Sequence, residues 1–194
     1  MKIFDLWSTD EVKIEDPGLR RYIFLTAKFL PKSRGSERER FAKSKVSIIE
    51  RLIGKLQVPG HRGKKHRIIT KSTGKYSARA KNVIEAFKLI EKQTKQNPIV
   101  VFVKAIENSA NMDETTTIEY GGARYLQAVD TSPLRRLNVA LRNIVHGTYD
   151  KSFRKKLNVA GALAQEITLA YNNDSKSHAI AKRNEMERQA DAAR

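Results

Sequence analysis

Between Arg51 and Ile84 the chain carries ten lysines and arginines and not one aspartate or glutamate. The charges are Arg51, Lys55, Arg62, Lys64, Lys65, Arg67, Lys71, Lys75, Arg79 and Lys81, joined by His61 and His66 and spaced by Gly54, Gly60, Gly63 and Gly74. Like charges crowded in this way repel one another unless a partner neutralises them. Counterions released from a polyanion would then supply much of the binding free energy. The chemistry implied is the holding of nucleic-acid phosphates; a solvated basic loop without a ligand is the plainer alternative.

Other chemistry finds little support. Gly60-His61-Arg62-Gly63-Lys64-Lys65 and Ser72-Thr73-Gly74-Lys75 resemble phosphate loops, but neither has the spacing of a nucleotide-binding P-loop. The four histidines, His61, His66, His146 and His178, show no metal-site spacing, and two of them lie among lysines that would repel a cation. Carboxylates avoid the basic region, so a metal-dependent nuclease would have to borrow them from elsewhere in the chain. The expectation is a binding protein with no catalytic residues, no metal and no cofactor.

The charge is unevenly shared. Residues 1–81 hold 21 basic and 8 acidic residues, net +13, whereas residues 82–194 hold 17 and 13, net +4. A total of +17 with a pI near 10.1 fits a nucleic-acid binder. The basic stretch is too rich in glycine for a membrane-surface helix, and the longest strongly apolar run, Ile99 to Val103, is too short to span a bilayer. With 194 residues a sizeable core can form, and no cysteine is present to staple it. No signal peptide is evident, and a soluble intracellular protein with no membrane partner is expected. Asn173-Asp174-Ser175 matches the glycosylation pattern only by coincidence on that reading.

These charges must be positioned by a mainly helical framework. Residues 1–36 read as an N-terminal extension, with short apolar pieces interrupted at Asp16-Pro17-Gly18 and closed by Pro31-Lys32-Ser33-Arg34-Gly35. This extension is expected to be partly ordered by a partner. A helix is expected from Ser36 to Pro59-Gly60, its apolar face at Phe41, Ile48, Ile49, Leu52, Ile53 and Leu56. A second covers Lys81 to Lys92, and a third opens at Asn97-Pro98 and runs to Ala110. A buried strand is the alternative for that third element. Thr115–Tyr120 and Ala123–Val129, joined by Gly121-Gly122, predict a β-hairpin within 113–130. At its tip Tyr120, Arg124 and Tyr125 offer stacking surfaces and charge, unless the aromatic rings merely pack across the strands.

Ser132-Pro133 starts another helix, with its stripe at Leu134, Leu137, Leu141, Ile144 and Val145 and a C-cap at Gly147. Arg135, Arg136 and Arg142 fall on its other face. The next is expected from Ser152 to Tyr171, with Arg154, Lys155 and Lys156 near its start, where the helix dipole disfavours cations unless phosphate is close. Ser177 to Arg194 is helical by propensity but poor in apolar residues, and should finish against a partner or fray.

Several strings carry a resemblance. GKK at 63–65, VIEAFKLI at 83–90, NPIVVFVKAIEN at 97–108, TTTIEYGGARYLQAVDTSPLRRLNVAL at 115–141 and the closing SHAIAKRNEMERQADAAR strongly resemble the small-subunit ribosomal protein seven family. They lie in the family order and cover roughly residues 37–194. The QAVD-x-SPLRR form and the ending AAR look like the archaeal and eukaryotic branch, with an archaeal source preferred.

The resemblance implies a bundle of about six helices with a protruding hairpin, in which residues 37–194 form an rRNA-binding domain. Such a protein would bind the 3′ major domain of small-subunit rRNA, organise assembly of the subunit head and reside on the cytoplasmic ribosome. By that similarity Arg38, Arg40, Lys43, Lys45, the Gly63-Lys64-Lys65 loop, Arg135, Arg136 and Arg142 would hold rRNA. The hairpin around Tyr120, Gly121, Gly122, Arg124 and Tyr125 would approach exit-site tRNA and mRNA, and small-subunit protein eleven would lie near the C-terminal helices. From charge alone, Lys32, Arg34, Arg62, Arg67, Lys71, Lys75, Arg79, Arg154, Lys155 and Lys156 join the rRNA-binding set. The stretch Ile68 to Ser77 departs from the family pattern, so its lysines are read as phosphate-positioning groups only. A basic helical DNA-binding or chromatin protein is the rival class, although no recognition helix or dimer logic is evident.

Overall fold

The computed structural model describes residues 2–25, 41–68, 72 and 74–194. Two short strands, β1 (Lys2–Ile3) and β2 (Trp7–Ser8), pair antiparallel and lead into a one-turn helix, α1 (Pro17–Arg20). A 3-10 turn at Ala42–Lys45 precedes α2 (Ile48–Gln57), and a second at Gly63–Ile68 precedes α3 (Tyr76–Thr94) and α4 (Pro98–Ser109). The hairpin β3 (Asp113–Tyr120) and β4 (Ala123–Asp130) is followed by α5 (Pro133–Ser152), α6 (Val159–Tyr171) and α7 (His178–Asp191). The expected class therefore stands: mainly α, with six longer helices and a two-stranded hairpin among the described residues.

The core sits where α3, α4 and α5 converge on α6, whose alanines Ala160, Ala164 and Ala170 are fully or almost fully buried and let the neighbouring helices approach closely. Phe87 on α3 joins Phe102 on α4 and Trp7 on β2, each ring pair having centroids 5.7 Å apart. α4 is apolar nearly all round because it is covered nearly all round; Ile99, Val101, Phe102, Val103, Ala105 and Ile106 are buried. Asn97 caps it by accepting from the Ile99 N–H at 3.1 Å, and its amide donates to the Ser8 carbonyl at 2.8 Å, tying β2 to the helix start.

The stretch read as an N-terminal extension supplies core residues: Ile3, Trp7, Leu19 and Ile23 are buried against the helices of the chain itself. Trp7 Nε1 donates to Glu91 at 3.0 Å, and Glu107 accepts from the backbone N–H groups of Glu15 and Asp16. Residues 2–25 are therefore packed onto the helices of the chain itself. The boundary expected near residue 36 lies outside the described residues.

Four helix limits differ clearly from the sequence reading. α3 begins at Tyr76, five residues before the expected Lys81. α2 begins at Ile48, with Phe41 at φ 65° and exposed ahead of the 3-10 turn, because the Ile48 N–H is taken by the Phe24 carbonyl at 2.9 Å. α5 does not stop at Gly147 but continues to Ser152. Gly147 is buried where α5 meets α6 and α7, so it serves close approach and not a cap. Finally α6 starts only at Val159, after Asn158 as cap. Arg154, at φ 53°, turns the chain between α5 and α6, so Arg154, Lys155 and Lys156 sit in a connecting turn and the dipole argument does not apply to them. The C-terminal helix is sharply started by Ser177, whose hydroxyl accepts from the Ile180 N–H.

Candidate nucleic-acid interface

α2 and α5 pack side by side and bring cations from three sequence regions together. Arg51 and Lys55 lie one turn apart on α2, Lys43 projects from the 3-10 turn before it, and Arg142 stands on α5. Their proximity is registered by Lys55, whose ammonium is pulled below the usual lysine range by burial and then by the charges of Arg142, Lys43 and Arg51. Arg51 is fixed in place by donating to the Tyr22 carbonyl at 3.3 Å and to Asn138 Oδ1 at 3.0 Å, and burial draws it down to about 10. None of Lys43, Lys55 and Arg142 forms an ion pair with a described carboxylate. Held cations without counter-charges are a ready seat for phosphate.

The second part of the surface continues along the same stripe of α5, where Arg142, His146, Tyr149 and Asp150 recur at helical spacing. Tyr149 donates its hydroxyl to the Leu56 carbonyl at 2.6 Å, and His146 Nε2 meets the Pro59 carbonyl at 3.0 Å, so α5 holds down the end of α2 and the loop after it. Gly60 at φ 89° and Gly63 at φ 55° turn that loop, with Arg62 between them. Arg62 forms two bonds to Asp150, at 2.5 and 2.6 Å, while Lys64 and Lys65 are exposed. Burial pushes the Asp150 carboxyl up, but the Arg62 hydrogen bond and charge, with His178 and Lys65, outweigh it and hold the group below the ordinary carboxylate range. His146 is lowered by burial first and by Arg62, His178 and Arg142 next, against the Pro59 hydrogen bond.

The residues singled out in the sequence are thus distributed unequally. Lys43, Lys45, Lys64, Lys65, Lys75, Arg142, Arg154, Lys155 and Lys156 are exposed. Three others are committed inside the protein. Arg136 is 8% exposed, donates to the Asn111 carbonyl and pairs with Asp16 at 2.7 Å, stitching α5 to α1. Arg79, also 8% exposed, places its guanidinium 6.0 Å from the centre of the Tyr149 ring. Arg62 is the third, through Asp150. Arg135 is at the surface but pairs with Glu114 at 2.6 Å. Lys32, Arg34, Arg38, Arg40, Lys71 and the side chain of Arg67 lie outside the described residues. The sequence reading counted Arg51 and Lys55 among the basic charges without placing them in the site; their i, i+4 spacing was the available signal. It missed Asp150, His146 and His178 because their meeting with Arg62 is long-range.

The hairpin is anchored at its base and open at its tip. The Thr131 N–H donates to the Met112 carbonyl at 2.8 Å, Asn111 bridges the Asp113 carbonyl and the Thr131 hydroxyl, and Arg194 pairs with Asp113 at 2.5 Å. Ile118 pairs opposite Tyr125, and Tyr120 opposite Ala123, so Ile118, Tyr120 and Tyr125 share one face. Tyr120 is 82% exposed and Tyr125 60%, so these rings are not buried by cross-strand packing. Glu119 and Arg124 pair at 3.4 Å on the opposite face. No described group of three or more His, Asp or Glu side chains could hold a metal ion, and no described helix is long and apolar enough to cross a membrane.

The family model for ribosomal protein S7p/S5e matches residues 19–194, nearly the whole chain. The chain belongs to that family. It is 51% identical over 196 residues to the small ribosomal subunit protein uS7 of Nanoarchaeum equitans (strain Kin4-M), with 100% of this chain and 99% of the relative covered. It is accordingly a structural, RNA-binding protein of the small ribosomal subunit, a component of the translating ribonucleoprotein in the cytoplasm and not an enzyme. The relative is archaeal, in keeping with the branch that the QAVD-x-SPLRR form suggested. The family match begins at Leu19 and so takes in residues that the strings from 63 onward did not reach.

Proposed function

We propose that the chain binds the 3′ major domain of small-subunit rRNA through one continuous face made of the 3-10 turn at Ala42–Lys45, α2, the loop 59–68 and the adjoining stripe of α5. The observation that carries this is the convergence of Lys43, Arg51, Lys55 and Arg142 where α2 packs on α5, with Lys55 lowered by burial and then by the other three charges. Lys64 and Lys65 extend the face, while Lys75, Arg154, Lys155 and Lys156 supply peripheral charge. Lys45 and the basic residues Lys32, Arg34, Arg38, Arg40, Arg67 and Lys71 join it on charge alone. Arg136 and Arg79 act from below, as buried braces, and Arg135 is held by Glu114. Binding through this face organises the head of the subunit. The stacking face of Ile118, Tyr120 and Tyr125 then projects toward exit-site tRNA and mRNA, and the C-terminal helices meet small-subunit protein eleven.

The test is a filter-binding series over salt with a transcript of an archaeal 3′ major domain and duplex DNA as competitor. Each phosphate contact removed by Lys55→Ala, Lys65→Ala or Arg142→Ala should reduce the logarithmic salt slope by roughly 0.7–0.9. Slopes unchanged in all three variants, or equal affinity for the DNA, would refute the reading.

A further inference from the structure

Beneath the exposed lysines of the 59–68 loop lies a closed set of ionisable groups that a purely electrostatic face does not require. Asp150 on α5 receives both terminal nitrogens of Arg62, and one of these, Nη2, also lies 3.2 Å from His178 Nε2 at the start of α7. That nitrogen of His178 is 3.7 Å from Asp150 Oδ2. A guanidinium can only donate, so His178 Nε2 must be the acceptor of the Arg62 bond and carry no proton. Arg62 and a protonated His178 are therefore rival donors to one carboxylate. A movement of less than about 1 Å would bring His178 into a charged hydrogen bond with Asp150.

We propose that rRNA phosphate draws Arg62 away from Asp150 and that His178 takes its place by binding a proton, so that the chain takes up protons as it binds RNA. This rests on the rRNA face proposed above. Arg62 is suited to the exchange by its position between Gly60 and Gly63, both at positive φ, and next to the exposed pair Lys64 and Lys65. The proton comes from solvent and ends on Nε2; Arg62 stays cationic and Asp150 anionic throughout, so only the pairing changes. The groups facing His178 are Asp150 and His146 on α5, Glu166 on α6, Lys182 and Glu185 on its own helix, and Arg62 from the loop. Burial and the cations Arg62 and Lys182 keep it neutral in the free protein, opposed by Glu166 and Asp150. Glu166 is already engaged by Ser177, the Ala179 N–H and Lys151, so Asp150 is the carboxylate whose partner can change. Withdrawing Arg62 toward a phosphate removes the nearest repelling charge and leaves Asp150 to be satisfied, and both changes favour the protonated imidazole.

The sign follows from linkage. If the histidine binds its proton more tightly in the complex, affinity is greatest at low pH and is lost as pH rises through the bound-state value. The full chain is titrated calorimetrically with an in vitro transcript of an archaeal 3′ major domain, at pH 7 in two buffers of different ionisation enthalpy, and the affinity is followed from pH 6 to 7.5. The wild-type protein should take up a fraction of a proton and lose roughly two- to fivefold in affinity across that range. His178→Gln should abolish both effects. Asp150→Asn, which removes the rivalry without touching either histidine, should also abolish the uptake and covers the case in which His178→Gln fails to fold. Salt-dependent binding without proton exchange, or uptake unaltered in His178→Gln or Asp150→Asn, would overturn this inference while leaving the rRNA face intact. Absence of RNA binding by the wild-type protein would overturn both.

Discussion

Adding one methyl group at Gly147 tests whether the three C-terminal helices are held as the packing indicates. A Cβ at this position would stand 2.6 Å from the Glu166 carboxyl carbon, 2.7 Å from Glu166 Oε1 and 2.8 Å from His178 Cβ. Glu166 cannot simply step aside, because it is fully buried and accepts from the Ser177 hydroxyl at 2.8 Å and the Ala179 N–H at 3.1 Å while pairing with Lys151 at 2.5 Å. Overpacking of this kind costs about 1–3 kcal/mol, and disturbing a hydrogen bond to a charged group adds about 1.5–3 kcal/mol. Against this, alanine is favoured over glycine inside a helix by about 1 kcal/mol. The net expectation for Gly147→Ala is a loss of about 2–4 kcal/mol, or a fall of about 5–15 °C in Tm for a chain of this size. Gly54, inside α2, has nothing within 4 Å of an added Cβ. Gly54→Ala should therefore show the propensity gain alone and raise Tm by about 1–4 °C. Paired thermal melts decide the matter. If Gly147→Ala melts at or above the wild-type temperature, α5, α6 and α7 are not packed around this glycine as described.

Core and surface separate just as sharply at neighbouring positions of α5. Leu141 is fully buried, so Leu141→Ala should cost about 2–5 kcal/mol in a denaturant melt, whereas Arg142→Ala at an exposed position should change stability by no more than about 0.5 kcal/mol and weaken RNA binding instead. His146 and His178 are both held below the ordinary histidine range by burial, so the unfolded chain binds protons first; stability should be full above about pH 6.5 and decline as pH falls below it. Melts from pH 7.5 to 5 should show that decline, flattened in a His146→Gln, His178→Gln double variant, and a Tm independent of pH in this range would contradict it. Replacing Tyr120–Tyr125 by a short turn should leave the circular dichroism of the helices and the affinity for rRNA nearly unchanged while impairing translation, because the tip contributes no buried side chain. A loss of helicity would show that the hairpin supports the fold.

What the sequence made legible was what depends on neighbours in the chain. Asn97-Pro98, Ser132-Pro133 and Gly121-Gly122 announced two helix starts and a hairpin turn because a proline at the first helical position and positive φ act locally, although only Asn97 closes a side-chain cap. Phe41 was assigned to the face of α2 by spacing alone, yet the helix starts seven residues later, where the Phe24 carbonyl takes up the first N–H. Gly147 was misread for a related reason. A glycine near an expected helix end is compatible both with a cap and with close approach of another element, and only the positions of Glu166 and His178 choose between them.

The site divides along the same line. Charge, for Arg62 and Arg79, and the family resemblance, for Arg135 and Arg136, grouped these residues with Lys64, Lys65 and Arg142, because a one-dimensional pattern shows charges but not their partners. In the fold Arg62 meets Asp150 across 88 residues and Arg136 meets Asp16 across 120, and no local signal encodes those meetings. A buried arginine that has found its carboxylate gains little by leaving it and leaves an uncompensated buried charge when it does. A half-buried cation without a carboxylate partner, lowered by burial and then by like-charged neighbours, as Lys55 is, gains from a phosphate that arrives. The proposed rRNA face is therefore better defined by which cations lack a carboxylate than by where cations are dense. Arg62, buried but sharing its carboxylate with a histidine able to replace it, is the residue at which the two classes meet.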